Sequence, residues 1–552
     1  MSPPNRWWAR LLLRQLISGG LRHLIICPGN RDVPFMAAAI DCSDLQVHSH
    51  LDERSAAFRA LGLAKATGQP AAVVTTSGSA VANCLPALCE AHASGIPLIL
   101  ISADRPPHLQ DCGAPQTMAQ AHIFKPFCAA SCDLGLPAID RAPAMLVTLA
   151  QALHQALERP GPLHLNQPFD EPLMESQDPP GPAPSPQPPP TREPMENHPL
   201  LDRARQALAG ARRGLVVCGP HAGVDPQLLA PLIAAGWPIL SDACSGLRPH
   251  ALPGQMSSAD FLLAGPAKSW EADLILRLGP APLARPCWEW LQRSPATILR
   301  WDRLPVTADF CHREFINLAM LPSPQLASLL TAAAPVDGDW RERWLKHDDQ
   351  AQRLLADWRE STEWGECLAA CLACQLPGPW AHLALANSLS VRHGNSFVLP
   401  GSGWQGVWAS RGVNGIDGTI GTAIGLSEAL GPLRLLIGDL ALLHDAPALA
   451  ALRQSAACLQ IVVLDNGGGR IFDTLPSARI PGIGPLLRSP QQLDFAGLAR
   501  AFGLPATVIT HRELLRQELE KPIHGSEMLV LDFAGADPSG ELAALRSRIA
   551  GG

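Results

Sequence analysis

Residues 435–476 constrain the fold of this chain more than any other stretch. Leu435-Leu436-Ile437 reads as a buried parallel strand that stops at Gly438-Asp439, where the backbone has to turn. Leu443, Leu449, Leu452 and Ala456 then recur at roughly helical spacing, and a second apolar run, 459–464, ends at Asp465-Asn466-Gly467-Gly468-Gly469. Strand, helix and strand in that order make a βαβ unit, and its right-handed crossover brings both strand ends to one edge of a sheet. Asp439 and Asn466 can converge there. A carboxylate, an amide carbonyl and a free carbonyl of the glycine run are hard oxygen donors that suit Mg²⁺, with phosphate oxygens completing the octahedron. The expected ligand is a diphosphate. Taken singly, Gly-Asp and the glycines are equally the ordinary punctuation of a strand end; their paired spacing is what argues for a site.

A chain of 552 residues has room for about three domains at ~150–200 residues each. Its net charge of −7 and lack of a basic block argue against a nucleic-acid surface. Leu11-Leu12-Leu13 is cut short by Arg14, and neither a membrane-length apolar run nor a signal peptide is visible, so a soluble cytoplasmic protein is expected. The 15 cysteines are scattered, and Cys371 and Cys374, preceded by Cys367 in an apolar stretch, make the only CxxC. Free buried thiols are expected rather than disulfides or a zinc site. With no tyrosine in the chain, no mechanism that needs a phenol can operate.

From the N-terminus, Trp7, Leu11, Leu12 and Ile17 suit an amphipathic helix, and 24–27 reads as a strand ending at Pro28-Gly29-Asn30-Arg31. Arg31 is then either an anion contact at a strand's carboxyl end or a surface residue capping the next helix. Glu53 stands where a short strand enters a helix. It either complements the helix dipole or serves as an acid–base group for a bound ligand. Further strands at 71–75, 97–102 and 161–166, with the small-residue turn Thr76-Ser77-Gly78-Ser79-Ala80 between the first two, make the N-terminal third a doubly wound domain. The proline-dominated segment 174–198 reads as an extended, solvated linker. A second domain follows, with strands at 214–218, 238–241, 274–278 and 297–301; its first glycine loop lacks the GxGxxG pattern, so no dinucleotide is assigned. A polar helix over 339–366 leads into the third domain. The expected division is 1–173 for an N-terminal domain, 174–198 for the linker, 199–337 for a central domain, 338–375 for a helical connection and 376–552 for a diphosphate- and metal-binding domain.

Several stretches together resemble one family. Gly-Asp followed after a fixed interval by Asn is similar to the thiamine diphosphate signature, with Leu440 where a glycine is usual. PGNR at Pro28, HLDERSAAFRALGLAK at His50, TTSGSAVAN at Thr75, SADRP at Ser102, DCGAPQ at Asp111, SRGVNGIDG at Ser410, and GDL with NGGGRIF resemble the 2-succinyl-5-enolpyruvyl-6-hydroxy-3-cyclohexene-1-carboxylate synthase family over nearly the whole chain. In that family the Leu440 variant is typical. The resemblance implies three doubly wound parallel-sheet α/β domains, thiamine diphosphate with Mg²⁺ (or Mn²⁺), and decarboxylative addition of 2-oxoglutarate to isochorismate in menaquinone or phylloquinone synthesis. It also implies at least a homodimer, or a dimer of dimers.

Residue by residue, the resemblance assigns Glu53 to cofactor activation and Asp439, Asn466 and the Gly468 carbonyl to the metal. Ser77, Ser402, Ile416, Gly438 and Leu440 would line the cofactor, with Ile416 bending it. Asn30, Arg31, Arg105, Gln116, Arg285 and Arg411 would meet the two anionic substrates, Arg31 and Gln116 close to the chemistry. Three positions depart from the pattern. Asn30 replaces a serine, Pro115 replaces an asparagine, and Gly406 stands four residues after Ser402, where the family carries an arginine. A related thiamine-dependent 2-oxoacid decarboxylase or ligase with another donor or acceptor is the alternative, and a lapsed enzyme kept as a structural subunit is the reading from another class.

Overall fold

The computed structural model describes residues 4–174, 178–179, 183–187, 199–306, 308–319, 321–533 and 537–551. Three six-stranded sheets organise them, and every strand pairing recorded in them is parallel. The first contains β1 (His23–Ile26), β2 (Gln46–Ser49), β3 (Ala71–Thr75), β4 (Leu98–Asp104), β5 (Ala130–Asp133) and β6 (Leu163–Pro168), in the order β2-β1-β3-β4-β6-β5. The second contains β7 (Gly214–Cys218), β8 (Ile239–Ser241), β9 (Gln255–Met256), β10 (Leu274–Leu278), β11 (Thr297–Trp301) and β12 (Ile316–Asn317), in the order β12-β11-β10-β7-β8-β9. The third contains β13 (His382–Leu385), β14 (Gly406–Ala409), β15 (Leu433–Gly438), β16 (Leu459–Asp465), β17 (Ala506–Ile509) and β18 (Glu527–Asp532), in the order β14-β13-β15-β16-β18-β17.

The first and third sheets share one winding, in which the order reverses between their first and third strands. Ligands in such sheets sit over that reversal, at the carboxyl ends of the strands. The second sheet has the order of a dinucleotide fold without its glycine fingerprint. The central strands are mainly apolar because helices cover both faces: β3, β4 and β10 are buried along their whole length.

The described residues form two compact units that do not follow chain order. One comprises Met1–Glu193, Ser410–Gly431 and His444–Cys458; the other comprises Pro194–Ala409, Pro432–Leu443 and Leu459–Gly552. Within the first, the helix Glu53–Thr67 lies against the helix Thr419–Leu430 along a seam of small residues. A Cβ on Gly62 would come 2.2 Å from the Thr422 carbonyl oxygen, and one on Gly425 would come 2.1 Å from that of Arg59. Backbone touches backbone there. Beside the seam, the buried Arg59 pairs with Glu428, its Nε donating to Oε2 at 2.9 Å.

Much of the linker lies outside the described residues. Gln187, which is described, is held against the first helix, Asn5–Ser18. Its N–H donates to Gln15 Oε1 at 2.8 Å and its carbonyl accepts from Gln15 Nε2 at 3.0 Å. All 15 cysteines are free, and Cys367, Cys371 and Cys374 are buried in the helix Glu366–Gln375, as expected of core thiols. No helix among the described residues is long and apolar enough to cross a membrane.

Candidate active site

In the first unit, Asn30 and Arg31 follow β1. Asn30 is exposed, whereas Arg31 is buried and donates from Nη1 to the Phe169 carbonyl at 3.1 Å and from Nη2 to Glu171 Oε1 at 3.3 Å. Its pKa is lowered by burial and then by the charge of Arg105. Two guanidinium groups close enough to repel form a place where an anionic carboxylate is favoured. Arg105, at the end of β4, is itself held by its backbone N–H, 2.7 Å from Asp104 Oδ1.

The turn after β3 locks onto the 111–116 loop. Ser77 Oγ donates to the Gln116 carbonyl at 2.9 Å, and Gln116 Nε2 returns a bond to the Ser77 carbonyl at 3.2 Å. Gln116 has φ of 60° and is exposed. Glu53 opens its helix half-buried, with Asn83 Nδ2 3.5 Å from its Oε2. Capping is done by its neighbour: Asp52 accepts from Ser55 N at 3.0 Å, which leaves the Glu53 carboxylate free of that duty. Arg411 and Ile416 are half-buried on the segment leading to the helix Thr419–Leu430.

In the second unit, Gly438 ends β15, and Asp439 and Leu440 start the helix Asp439–His444. Asp439 is buried; its Oδ1 accepts from Leu440 N at 2.7 Å and its Oδ2 from Gly468 N at 2.6 Å. That second bond ties the end of β15 to the loop after β16, so the two strand ends converge. Burial raises the Asp439 pKa above the usual carboxylate value.

Asn466, also buried, donates from Nδ2 to Glu366 Oε2 at 2.9 Å, while its Oδ1 has no hydrogen-bond partner. An orphaned buried amide oxygen beside a carboxylate is what a divalent cation needs. The Gly468 carbonyl accepts from Arg470 N at 2.8 Å and keeps a second lone pair. Gly468 has φ of 119°, and a Cβ there would come 2.1 Å from the Arg488 carbonyl oxygen, so only glycine fits. Asp439, Asn466 Oδ1 and the Gly468 carbonyl, completed by ligand oxygens, make a donor set that fits such a cation.

Comparisons with known proteins point to one family. Residues 6–123 match the model of the thiamine pyrophosphate enzyme N-terminal TPP-binding domain. A protein of Rubrobacter xylanophilus named 2-succinyl-5-enolpyruvyl-6-hydroxy-3-cyclohexene-1-carboxylate synthase is 39% identical over 91% of this chain and 90% of its own. Proteins of the same name from Synechococcus elongatus (34%, covering 96% of this chain and 93% of theirs) and a Roseiflexus species (33%, covering 99% and 98%) extend the match along almost the whole length. The chain belongs to the 2-succinyl-5-enolpyruvyl-6-hydroxy-3-cyclohexene-1-carboxylate synthase family. It is a thiamine diphosphate-dependent enzyme.

Two expected site residues of this synthase family lie apart from the strand ends. Ser402 precedes β14 and so enters the third sheet at its amino-terminal edge, opposite the carboxyl edge that carries Asp439 and Asn466; its hydroxyl is buried without a partner. Gly406 is the first residue of that strand. A serine followed four residues later by an arginine stands at Ser388 and Arg392, in the turn after β13. There the winding of the third sheet reverses. Ser388 has φ of 69°, an uncommon conformation for a serine, and its carbonyl accepts from Arg392 Nη1 at 2.6 Å. The sequence contained this signal, but a strand of four residues, HLAL, is too short to show by periodicity where the turn falls. Arg285, at the start of the helix Arg285–Arg293, is exposed and paired with Glu289 at 2.9 Å.

Proposed function

We propose that this enzyme joins 2-oxoglutarate to isochorismate with loss of carbon dioxide, giving 2-succinyl-5-enolpyruvyl-6-hydroxy-3-cyclohexene-1-carboxylate. The observation that carries the reading is the orphaned Asn466 Oδ1 in the loop whose Gly468 N–H binds Asp439, a half-built cation site at the carboxyl edge of the third sheet. Asp439, Asn466 and the Gly468 carbonyl would hold Mg²⁺, or Mn²⁺ in its place, and through it a diphosphate; Gly438 and Leu440 flank that site, and Ser77 and Ile416 belong to the cofactor's other end. When bound, thiamine diphosphate would supply the electron sink that decarboxylation of a 2-oxoacid needs. Glu53 would share a proton with the pyrimidine ring. Arg31, Arg105, Arg392 and Arg411 supply the fixed positive charge that two anionic substrates require, with Asn30, Gln116 and Ser388 as polar contacts.

With an arginine in the expected spacing after Ser388, the case for a different 2-oxoacid donor loses its main support. The test is incubation of the purified protein with thiamine diphosphate, Mg²⁺, 2-oxoglutarate and isochorismate, followed by mass spectrometry of the product. The expected result is the adduct; its absence, with turnover of another 2-oxoacid, would favour the related decarboxylase or ligase. We further propose a homodimer or a dimer of dimers, following the family resemblance, to be checked by sedimentation, and the functional division 1–173, 199–337 and 376–552. The free cysteines support a reducing, cytoplasmic setting.

A further inference from the structure

The helix Leu85–Ser94 carries a carboxylate with an unusual set of partners. Glu90 is 1% exposed and takes part in none of the ion pairs found among the described residues. Its Oε1 accepts from Ser94 Oγ at 2.9 Å and from Gly412 N at 2.9 Å, and its Oε2 accepts from Val413 N at 2.8 Å. A buried charge is thus compensated by two consecutive backbone amides, and they belong to the residues directly after Arg411. Gly412 lies flat on the same helix: a Cβ there would come 2.7 Å from Ser94 Oγ and 2.8 Å from the Glu90 carbonyl oxygen. The far end of the segment is held in the same way, since the buried Asp445 accepts from Ile420 N at 2.7 Å and Gly421 N at 3.1 Å. The stretch that carries Arg411 and Ile416 is therefore pinned at both ends by buried carboxylates.

We infer that Glu90 is a positioning residue for Arg411, fixing the guanidinium for its anionic substrate by clamping the two amides that follow it. The inference rests on the reading of Arg411 as a substrate contact. In Glu90→Gln an NH₂ replaces one acceptor oxygen, so that two donors face each other at Gly412 or Val413 and the clamp opens.

The experiment compares the holoenzyme with its Arg411→Gln, Glu90→Gln and doubly substituted forms, measuring KM and kcat for both substrates, thiamine diphosphate affinity by tryptophan fluorescence, and Tm. Arg411→Gln should raise the KM of one substrate. Glu90→Gln should raise that same KM roughly 10- to 100-fold, the loss of a charge-assisted bond, with cofactor affinity unchanged. The double form should be little worse than either single one. If Arg411→Gln raises KM and Glu90→Gln does not, or lowers only kcat and Tm, the clamp is merely structural and the inference falls. If Arg411→Gln itself leaves both KM values unchanged, it is the reading of Arg411 that fails. Should Glu90→Gln not fold, Gly412→Ala pushes the segment off the helix from the other side, and an unchanged KM there overturns the inference equally.

Discussion

Asp32, next to Arg31, shows how much a single buried group can weigh. It is fully buried, and burial, with a smaller contribution from Glu53 and against the weaker pull of the backbone amides of Asp32 and Gly29, pushes its pKa up to about 7. The folded state therefore holds a proton that the unfolded chain releases near its ordinary value, so this residue's contribution to stability falls as pH rises from about 4 to about 7 and is constant above. Asp32→Asn should stabilise the protein by about 2–4 kcal/mol above pH 7 and have little effect below pH 4. Calorimetric melts from pH 4 to 8 check this; parallel curves for the two proteins would refute it. Glu366 acts differently. It takes the Asn466 amide N–H on one oxygen and lies 3.1 Å from His393 Nε2 on the other, so it fixes the orientation of the amide whose Oδ1 is the proposed metal ligand. Glu366→Ala should weaken Mg²⁺ binding about 10- to 100-fold, read from Mg²⁺ titrations of cofactor-induced fluorescence quenching, with an unchanged titration curve counting against this role. Neither residue stood out in the sequence, because a lone acid in a strand-end loop or a helix carries no spacing to mark it.

At the scale of elements, the sequence was most legible where an apolar run of five or more residues is bounded by turn residues such as Gly, Pro or Asp. Thus 274–278 and 297–301 are strands as expected, whereas β9 and β12, two residues each, leave no pattern to read. Partners were less legible than elements. Periodicity shows that the helix Thr419–Leu430 is apolar, but not that it packs on the helix Glu53–Thr67, more than 350 positions earlier, because close approach is encoded only by the spacing of Gly421 and Gly425. That seam makes a contrast testable. Alanine is the better helix former, by about 1 kcal/mol, so Gly425→Ala should stabilise an isolated helix. Here its Cβ would sit 2.1 Å from a backbone oxygen, and the overpacking should cost about 1–3 kcal/mol and lower Tm. Gly438→Ala, where nothing lies within 4 Å of the added Cβ, should melt close to the unsubstituted protein. Equal Tm values for the two variants would remove the steric account.

At the scale of the whole molecule, the second and third sheets belong to one compact unit, and a single buried side chain shows why. Arg248 donates to the Ser241 carbonyl at 2.8 Å and the Ser257 carbonyl at 3.2 Å on one side, and to the Asn395 carbonyl at 3.3 Å and that of Val398 on the other. Asn395 answers by accepting from Ala243 N at 3.0 Å and donating to Asp260 at 2.6 Å. Polar bonds of this kind are satisfied without any ligand, whereas Asn466 Oδ1 is not, and Asp439, though both its oxygens accept backbone N–H groups, keeps a desolvated carboxylate. The folded chain thus keeps an unmet electrostatic demand at one edge of the third sheet, and a ligand that meets it binds the folded state alone. Thiamine diphosphate with Mg²⁺ at about a hundredfold excess over Kd should add about 2.7 kcal/mol of stability. Chelation of the metal should return Tm to the ligand-free value, and Asn466→Ala, which starts from a lower ligand-free Tm because the buried Glu366 loses a donor, should gain little from adding ligand. If that variant gains as much as the unsubstituted protein, the cation is held elsewhere and Asn466 is not its ligand.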